Sequence, residues 1–539
     1  MVLGVLGEDR RAAAGAERLV EAAGRPAAHG VLPGDDAERA VDRLRRRLGG
    51  RAGAVLAAGA VAVGRRDQRL RDLEAHGAAA AATGEDGSHG ATVAGGATAP
   101  TRVDRGGPGR AAARASATVR AMYASLPPGA PDAERRARAR AAVEGQIRVT
   151  PVVASQGLEE RFGAPVVLKA ESLQRTGAFK LRGALAKLAA LGDAAAPGVV
   201  AGSAGNHARA VAQAAKIRGV PAAVFMPEGA PIAKVEACRE LGANVELVAG
   251  PLEDALAAAT DHAARTGMVF LHPFDDLDVI AGQSTLGDEL LEQVPDMAQI
   301  VVPVGGGGLI SGIAVAVREQ RPDVRIVGVR AAARGSVIAT RSSRSPLSLG
   351  GLADAEPTTT IADGIAVKKP GILTGPLVSE LVDELVAVDE DSIAEAMVLL
   401  LDRVNLVVEG AGAVGLSALL RDLVPRPDKG STVLVLSGGN VDTGLLAQLA
   451  RRHETLVGRR LGLVTMIPDR PGSLARLVAV VAGAGGNVTE VSHVREGVDL
   501  HVGDTAVRMT LETRGPDHAD RVLAAITEAG FPVKRTDRE

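Results

Sequence analysis

Four times in this chain a short apolar run ends in small or polar residues and gives way to a helical pattern. Pro165-Val166-Val167-Leu168 leads toward a helix pattern over Ala184–Leu191. Val199-Val200-Ala201 passes into Gly202-Ser203-Ala204-Gly205-Asn206-His207. Ile300-Val301-Val302-Pro303-Val304 passes into Gly305-Gly306-Gly307-Gly308, and Val433-Leu434-Val435-Leu436 into Ser437-Gly438-Gly439-Asn440. Strand-then-helix alternation of this kind commits a chain to an α/β fold with a mostly parallel sheet. In such sheets ligands bind beyond the carboxyl ends of the strands. A glycine-rich turn at a helix start lets backbone N–H groups approach a phosphate, which the helix dipole also favours.

The stretch KAESLQRTGAFKLRGA, Lys169–Ala184, places Lys180 between an aromatic, Phe179, and the segment Leu181-Arg182-Gly183-Ala184. Partial desolvation lowers an amine's pKa, and the neutral amine is the nucleophile that forms an imine with an aldehyde. Taken alone, a lysine at a helix start is a solvated surface group. With a phosphate cradle and two polar loops at neighbouring strand ends, the set suits a phosphorylated aldehyde cofactor. Each element also has a plainer reading. Gly305–Gly308 fits a tight turn or a dinucleotide loop, His207 fits a packing residue, and Ser437 and Asn440 fit caps of the next helix.

Composition sets outer bounds. A chain of 539 residues implies several domains. The net charge of −2 and pI of about 6.6 suggest neither nucleic-acid nor polybasic membrane partners. A single cysteine, Cys238, rules out an intrachain disulfide and is compatible with a reducing, cytoplasmic setting. The histidines show no metal-ligand spacing with cysteine, and no metal is expected. Acidic residues come too early in MVLGVLGEDRR for a signal peptide. Met297–Val317 carries no charge and is long enough to span a bilayer, but Gln299, Pro303 and four glycines read instead as buried strand, loop and helix start. With aromatics at 1%, the core must be built from Ala, Val and Leu.

Residues 1–78 read as a small α/β unit or a non-essential extension, and the Ala/Gly-rich residues 79–112 as a flexible linker. A helix over Pro131–Glu144 opens the catalytic region, 113–450. From Leu461 the pattern changes. Leu461–Ile467 reads as a strand and Asp469-Arg470-Pro471-Gly472-Ser473-Leu474 as a turn into a helix, with Pro471 near its first turn. Strands over Asn487–Val494 and Thr505–Leu511, a helix over Pro516–Ala529 and a short strand over Phe531–Val533 complete a βαββαβ order across 461–539.

These motifs resemble the threonine ammonia-lyase (threonine dehydratase) family of pyridoxal-phosphate enzymes, in the tryptophan-synthase-β class. TGAFKLRGA (Thr176–Ala184), SAGNHA (Ser203–Ala208), FMPEGAPIAKVEACRELGANV (Phe225–Val245), HPFDDLDVIAGQ (His272–Gln283), PVGGGGLISG (Pro303–Gly312), TIADGIAVKKPG (Thr360–Gly371), EGAGA (Glu409–Ala413) and SGGN (Ser437–Asn440) occur in family order. The resemblance implies PLP fold type II: a parallel-sheet large domain, a smaller inserted domain at about 175–285, and a C-terminal ACT-like regulatory domain. It implies that Lys180 binds pyridoxal 5'-phosphate and moves the substrate Cα proton, and that Gly305, Gly306, Gly307 and Gly308 hold the phosphate. It further implies Asn206 at the ring hydroxyl, Ser437 at the ring nitrogen, Phe179 and Gly371 flanking the ring, and Glu409 lining the site. Ser203, Ala204, Gly205, Asn206 and His207 would receive the substrate carboxylate, and Asp469, Arg470, Pro471, Gly472, Ser473 and Leu474 a small amino-acid effector. The activity implied is deamination of L-threonine to 2-oxobutanoate, with L-serine as a second substrate, in isoleucine biosynthesis and under allosteric control. Relatives assemble as dimers or tetramers, so a homo-oligomer is expected. A β-replacement enzyme of the cysteine-synthase type and a non-catalytic amino-acid sensor are the alternatives, and the C-terminal module reads equally as a dimerisation unit. Ala178 stands where the family often has serine, and Ser284 where glycine is usual. Relatives that racemise serine carry a second serine at the place of Ala204, which disfavours racemisation. Arg330 and Ser336 stand near the place where some relatives bind a divalent cation.

Overall fold

The computed structural model describes residues 126–332, 340–341, 360–367, 371–494, 501 and 503–536. The readings for 1–78 and 79–112, and Ser336, lie outside the described residues. The catalytic region holds eleven of the strands: β1 Val152–Ala154, β2 Val166–Lys169, β3 Val199–Gly202, β4 Ala222–Pro227, β5 Asn244–Val248, β6 Val269–Phe270, β7 Met297–Pro303, β8 Arg325–Ala331, β9 Thr340–Arg341, β10 Glu384–Val388 and β11 Ser431–Val435. They form two sheets. The larger runs β1-β2-β11-β7-β8-β10-β9, parallel except for β1 and β9 at its edges. The smaller runs β5-β4-β3-β6 and is parallel throughout.

The apolar runs are continuous because a parallel sheet is covered on both faces. In β11, Leu434 packs into one core while Val433 and Val435 enter the other. In β7, Val301 and the pair Ile300 and Val302 divide in the same way. With no tryptophan and few other aromatics, close helix packing relies on small residues. The helix Lys180–Leu191 crosses the helix Leu277–Gln293 at Gly183 and Gly282. A Cβ on Gly282 would sit 2.6 Å from the Arg182 carbonyl oxygen and from the Gly183 Cα. This crossing explains one departure from the sequence pattern. The helix begins at Lys180 itself rather than Ala184, because burial of Leu181, Arg182 and Gly183 outweighs the helix-weakening glycine. The charge-free stretch from Met297 is β7, a glycine loop and the helix Gly308–Gln320. No helix among the described residues is long and apolar enough to cross a membrane.

Beyond the catalytic region lie β12 Arg460–Pro468, β13 Asn487–Val494, β14 Asp504–Glu512 and β15 Val533–Arg535, an antiparallel sheet ordered β13-β14-β12-β15. The helices Ser473–Gly483 and Pro516–Glu528 pack on it through Leu477, Val481, Val522 and Ile526. The βαββαβ order matches the sequence pattern and is compatible with an ACT-like unit. Two boundaries differ. The last strand starts at Val533, because Phe531 is buried in the core and its N–H bonds Ile526. Pro471 precedes the helix, whose N-cap is Gly472 with φ of 90°.

A largely buried ion cluster ties the helix carrying Lys180 to its surroundings. Arg182 donates to both oxygens of Glu171 (2.9 and 2.7 Å) and to both oxygens of Glu289 (2.7 and 3.0 Å). The Lys169 ammonium donates to Glu289 at 2.6 Å, and the Thr150 hydroxyl donates to Glu171 at 2.5 Å. Burial pushes the Glu171 carboxyl upward, but Arg182 and Thr150 together hold it below the usual carboxylate range. Removing one partner of a buried pair leaves an uncompensated charge, at a cost of about 3–5 kcal/mol. Arg182→Met is therefore expected to lose about that much stability in urea unfolding. A loss below about 1 kcal/mol, the range of an exposed pair, would contradict a buried, mutually dependent cluster.

Candidate active site

Strands β2, β11 and β7 are neighbours and run parallel, so the segments that follow them leave one edge of the large sheet. The segment after β2 carries Lys180, the segment after β7 carries Gly305–Gly308, and the segment after β11 carries Ser437–Asn440. Two of them are stitched together by backbone. Ala178 and Gly438 form an antiparallel bridge, the Phe179 N–H donates to the Ser437 carbonyl at 3.1 Å, and the Gly439 N–H to Gly177 at 2.9 Å. From the small sheet, β3 ends at Gly202 and the helix Asn206–Arg218 follows.

Lys180 is the first residue of its helix. Its ammonium donates to the Pro273 carbonyl at 2.8 Å and lies 5.2 Å from the Phe179 ring centre. Burial pushes its pKa down to about 8, against an opposing pull from Glu409. A cation at a helix N-terminus also meets the positive end of the dipole, which acts in the same direction as burial. The residue next to Pro273 binds the glycine loop, since the Phe274 ring packs directly on Gly306 and a Cβ on Gly308 would lie 2.9 Å from the Phe274 Cβ. A Cβ on Gly305 would lie 2.9 Å from the Ile365 Cα. Side chains are thus excluded at three of the four glycines, and Gly307 has a φ of 90° that favours glycine. The helix Gly308–Gln320 starts from this loop, so its first N–H groups lack intrahelical partners.

Glu409 caps the helix Gly410–Leu420 and is buried. Its Oε1 accepts from Asn206 Nδ2 at 2.7 Å. Burial and then Asp363 push its carboxyl up to about 7. His207 is buried with Nε2 at 2.8 Å from the Leu271 carbonyl, and burial followed by Lys180 drives its pKa down to about 3. It stays neutral through the physiological range, which fits the packing role over an acid–base one. The segment Ser203–Gly205 leads into the helix start at Asn206, and the Gly205 N–H donates to the Ser203 hydroxyl at 3.2 Å.

The sequence-based candidates Phe179, Lys180, Asn206, Glu409, Ser437 and Gly305–Gly308 are joined by these contacts. Gly371 sits elsewhere in the arrangement. It adjoins Asp275 and Thr374, and the Thr374 hydroxyl donates to the Gly306 carbonyl at 2.6 Å. Asp275 in turn accepts from the N–H groups of Ile372, Leu373 and Thr374 at 2.8, 2.8 and 3.2 Å. A glycine that adjoins Glu409 is Gly364, 3.5 Å from Oε1 by its Cβ position. Gly364, Pro273 and Phe274 went unassigned from sequence. A proline carbonyl leaves no side-chain signature, and Phe274 reads as core. The loop Asp469–Leu474 belongs to the C-terminal sheet unit, where the Asp469 N–H donates to Gly503 at 2.7 Å and the helix starts at Ser473.

The residues present fit pyridoxal phosphate. A depressed-pKa amine and a loop at a helix start where side chains are excluded lie at the carboxyl edge of the large sheet, and a half-buried amide is paired with a buried carboxyl. The family model for pyridoxal-phosphate-dependent enzymes matches residues 143–438. An L-threonine ammonia-lyase of Geobacter sulfurreducens is 46% identical over 389 residues, 72% of this chain and 95% of that protein. Among solved structures, a threonine deaminase from T.th. aligns with a TM-score of 0.52 and 37% identity, covering 58% of this chain and 99% of the other. Maize serine racemase aligns with a TM-score of 0.54 and 36% identity, covering 60% and 98%.

A pKa of about 8 leaves Lys180 about one-tenth neutral at pH 7, against about three parts in ten thousand for an amine at 10.5. The rate at which cofactor-free protein takes up pyridoxal phosphate is expected to climb with pH and level off above about 8. Stopped-flow absorbance measures this, and a rise that continues toward pH 10.5 would contradict the desolvated environment.

Proposed function

Because the chain belongs to the L-threonine ammonia-lyase family of pyridoxal-phosphate-dependent enzymes, we propose that it deaminates L-threonine to 2-oxobutanoate and ammonia, and L-serine to pyruvate. The observation that carries this reading is the Lys180 amine, desolvated and held by the Pro273 carbonyl next to the residue that packs on the glycine loop.

Gly305–Gly308 and the helix start at Gly308 would hold the cofactor phosphate, Asn206 its ring hydroxyl and Ser437 its ring nitrogen. A serine there, unlike a carboxylate, offers no negative charge to stabilise a protonated ring nitrogen. Phe179 and a glycine would flank the ring, and Gly364, beside Glu409, suits that place better than Gly371, which buttresses the glycine loop. When bound, the cofactor supplies an electron sink for the charge left on the substrate Cα. Lys180 Nζ takes the Cα proton, as its depressed pKa allows. The loop Ser203–His207, at a helix N-terminus, suits the substrate carboxylate. The departing hydroxide needs a proton, and Lys180 Nζ carries one once it has taken that of Cα, while Glu409 lines the site as a carboxylate that accepts from Asn206. General acid–base help of this kind contributes about 10²–10⁴ in rate. Ala204 brings no side-chain acid, so a second proton-transfer group for racemisation is missing at that position.

The C-terminal βαββαβ unit supports an ACT-like regulatory role, with Asp469–Leu474 as the loop for a small amino acid and the protein as a dimer or tetramer.

Purified protein given L-threonine is expected to release 2-oxobutanoate and ammonia, and Lys180→Ala to lose activity by at least about 10³-fold. Full activity in that variant would overturn the assignment, and formation of a new amino acid with added sulfide in place of the oxo acid would favour β-replacement. Isoleucine or valine is expected to change the threonine kinetics or the oligomer size in sedimentation. Kinetics and size both indifferent to these amino acids would remove the regulatory reading.

A further inference from the structure

Asn206 and Glu409 face each other at 2.7 Å, but an amide presents an acceptor as readily as a donor. Which one it shows to Glu409 matters, because a donor favours the carboxylate and an acceptor favours the protonated acid. The structure holds residues that decide this. Arg209 lies three positions after Asn206 on the same helix, so both side chains occupy one face. Arg209 Nη1 donates to Asn440 Oδ1. Asn440 Nδ2 donates to the Thr176 carbonyl at 2.9 Å and to Asn206 Oδ1 at 2.6 Å.

The polarity of this chain is fixed at both ends of Asn440. A guanidinium only donates, so it must meet the Asn440 oxygen. A backbone carbonyl only accepts, so Thr176 must meet the Asn440 nitrogen. Two independent partners select one amide orientation. Asn206 Oδ1 is then occupied by a donor, and its Nδ2 is the group left for Glu409. Packing keeps the chain in place. A Cβ on Gly177 would strike the Asn440 amide, and a Cβ on Gly438 would strike Glu409 Oε1. Both sit in motifs whose backbones pair with each other, as Ala178 and Gly438 do.

We propose that Arg209 and Asn440 are positioning residues of the lyase: they lock the Asn206 amide so that it donates to Glu409 and holds the Glu409 carboxyl in its accepting, ionisable form. This rests on the lyase reading above and assigns a role to two residues outside the cofactor and substrate sets. Burial works against the ionised form of Glu409, and so does Asp363. Lys234 and Lys180 favour it, and the Asn206 donor adds to them. None of these charges belongs to Asn440.

The test is the pH dependence of kcat/KM for L-threonine, with the cofactor dissociation constant as a second readout. Glu409→Gln is expected to abolish the limb in which activity rises with pH, which identifies that limb with Glu409. Asn440→Leu changes no charge, frees the Asn206 amide and is expected to move the limb upward by about one pH unit. Its kcat at neutral pH should fall about tenfold, and cofactor binding should weaken. Asn440→Asp keeps the Arg209 contact but reverses the amide, since its carboxylate accepts where Asn440 donated, and should move the limb the same way. Arg209→Lys keeps a donor-only group and should leave the wild-type limb in place. The proposal is overturned if the limb survives Glu409→Gln. It is equally overturned if Asn440→Leu or, where that variant does not fold, Asn440→Asp leaves the midpoint unmoved. Wild-type protein with no lyase activity would sink the lyase reading itself. An active wild type with an unmoved limb in these variants sinks only the role of the two positioning residues.

Discussion

Everything at this site follows from taking one amine partly out of water. Lys180 begins a helix, points its Nζ at a proline carbonyl and sits where burial lowers its pKa to about 8. An amine that stayed in water would be charged at neutral pH and unreactive toward an aldehyde. The surrounding structure keeps it there. The loop with Pro273 and Phe274 touches the lysine at one residue and the glycine cradle at the next. Two residues after Lys180, Arg182 anchors the same helix into a buried cluster of two carboxylates and a second lysine. Lys169 shows a contrast in partners: burial lowers its pKa as well, but its ammonium donates to Glu289, Gln293 and the Thr150 carbonyl, and the Glu289 carboxylate opposes the shift.

Much of this could be read from the residues. The four apolar runs became strands of buried parallel sheets, because continuous Val, Leu and Ile runs have no other stable home in a chain with helices between them. The cradle was legible because glycines at consecutive positions before a helix have few other uses. The family motifs, in order, then selected the cofactor among the ligands that such a cradle admits. The βαββαβ order of the last eighty or so residues was legible from period-two and helical patterns, apart from the shift of the final strand past Phe531.

What escaped the sequence has a common cause. The Pro273 carbonyl that holds Lys180 is backbone, and no residue type encodes it. The Gly183–Gly282 crossing joins helices a hundred residues apart, and its effect was to extend the Lys180 helix by one turn beyond the pattern. Gly364 and Gly371 stand in one motif seven positions apart, and spacing alone does not say which adjoins Glu409. The orientation of the Asn206 amide depends on Arg209 and Asn440, far apart in sequence, and only their meeting in space gives it a direction.

The central claim is that one particular amine takes up the cofactor aldehyde. Incubating the protein with pyridoxal phosphate, reducing it with borohydride and mapping its peptides by mass spectrometry tests this directly. The account predicts a single pyridoxyl group, on Lys180. A label on Lys169 or Lys234 in its place, or no label at all, would contradict it.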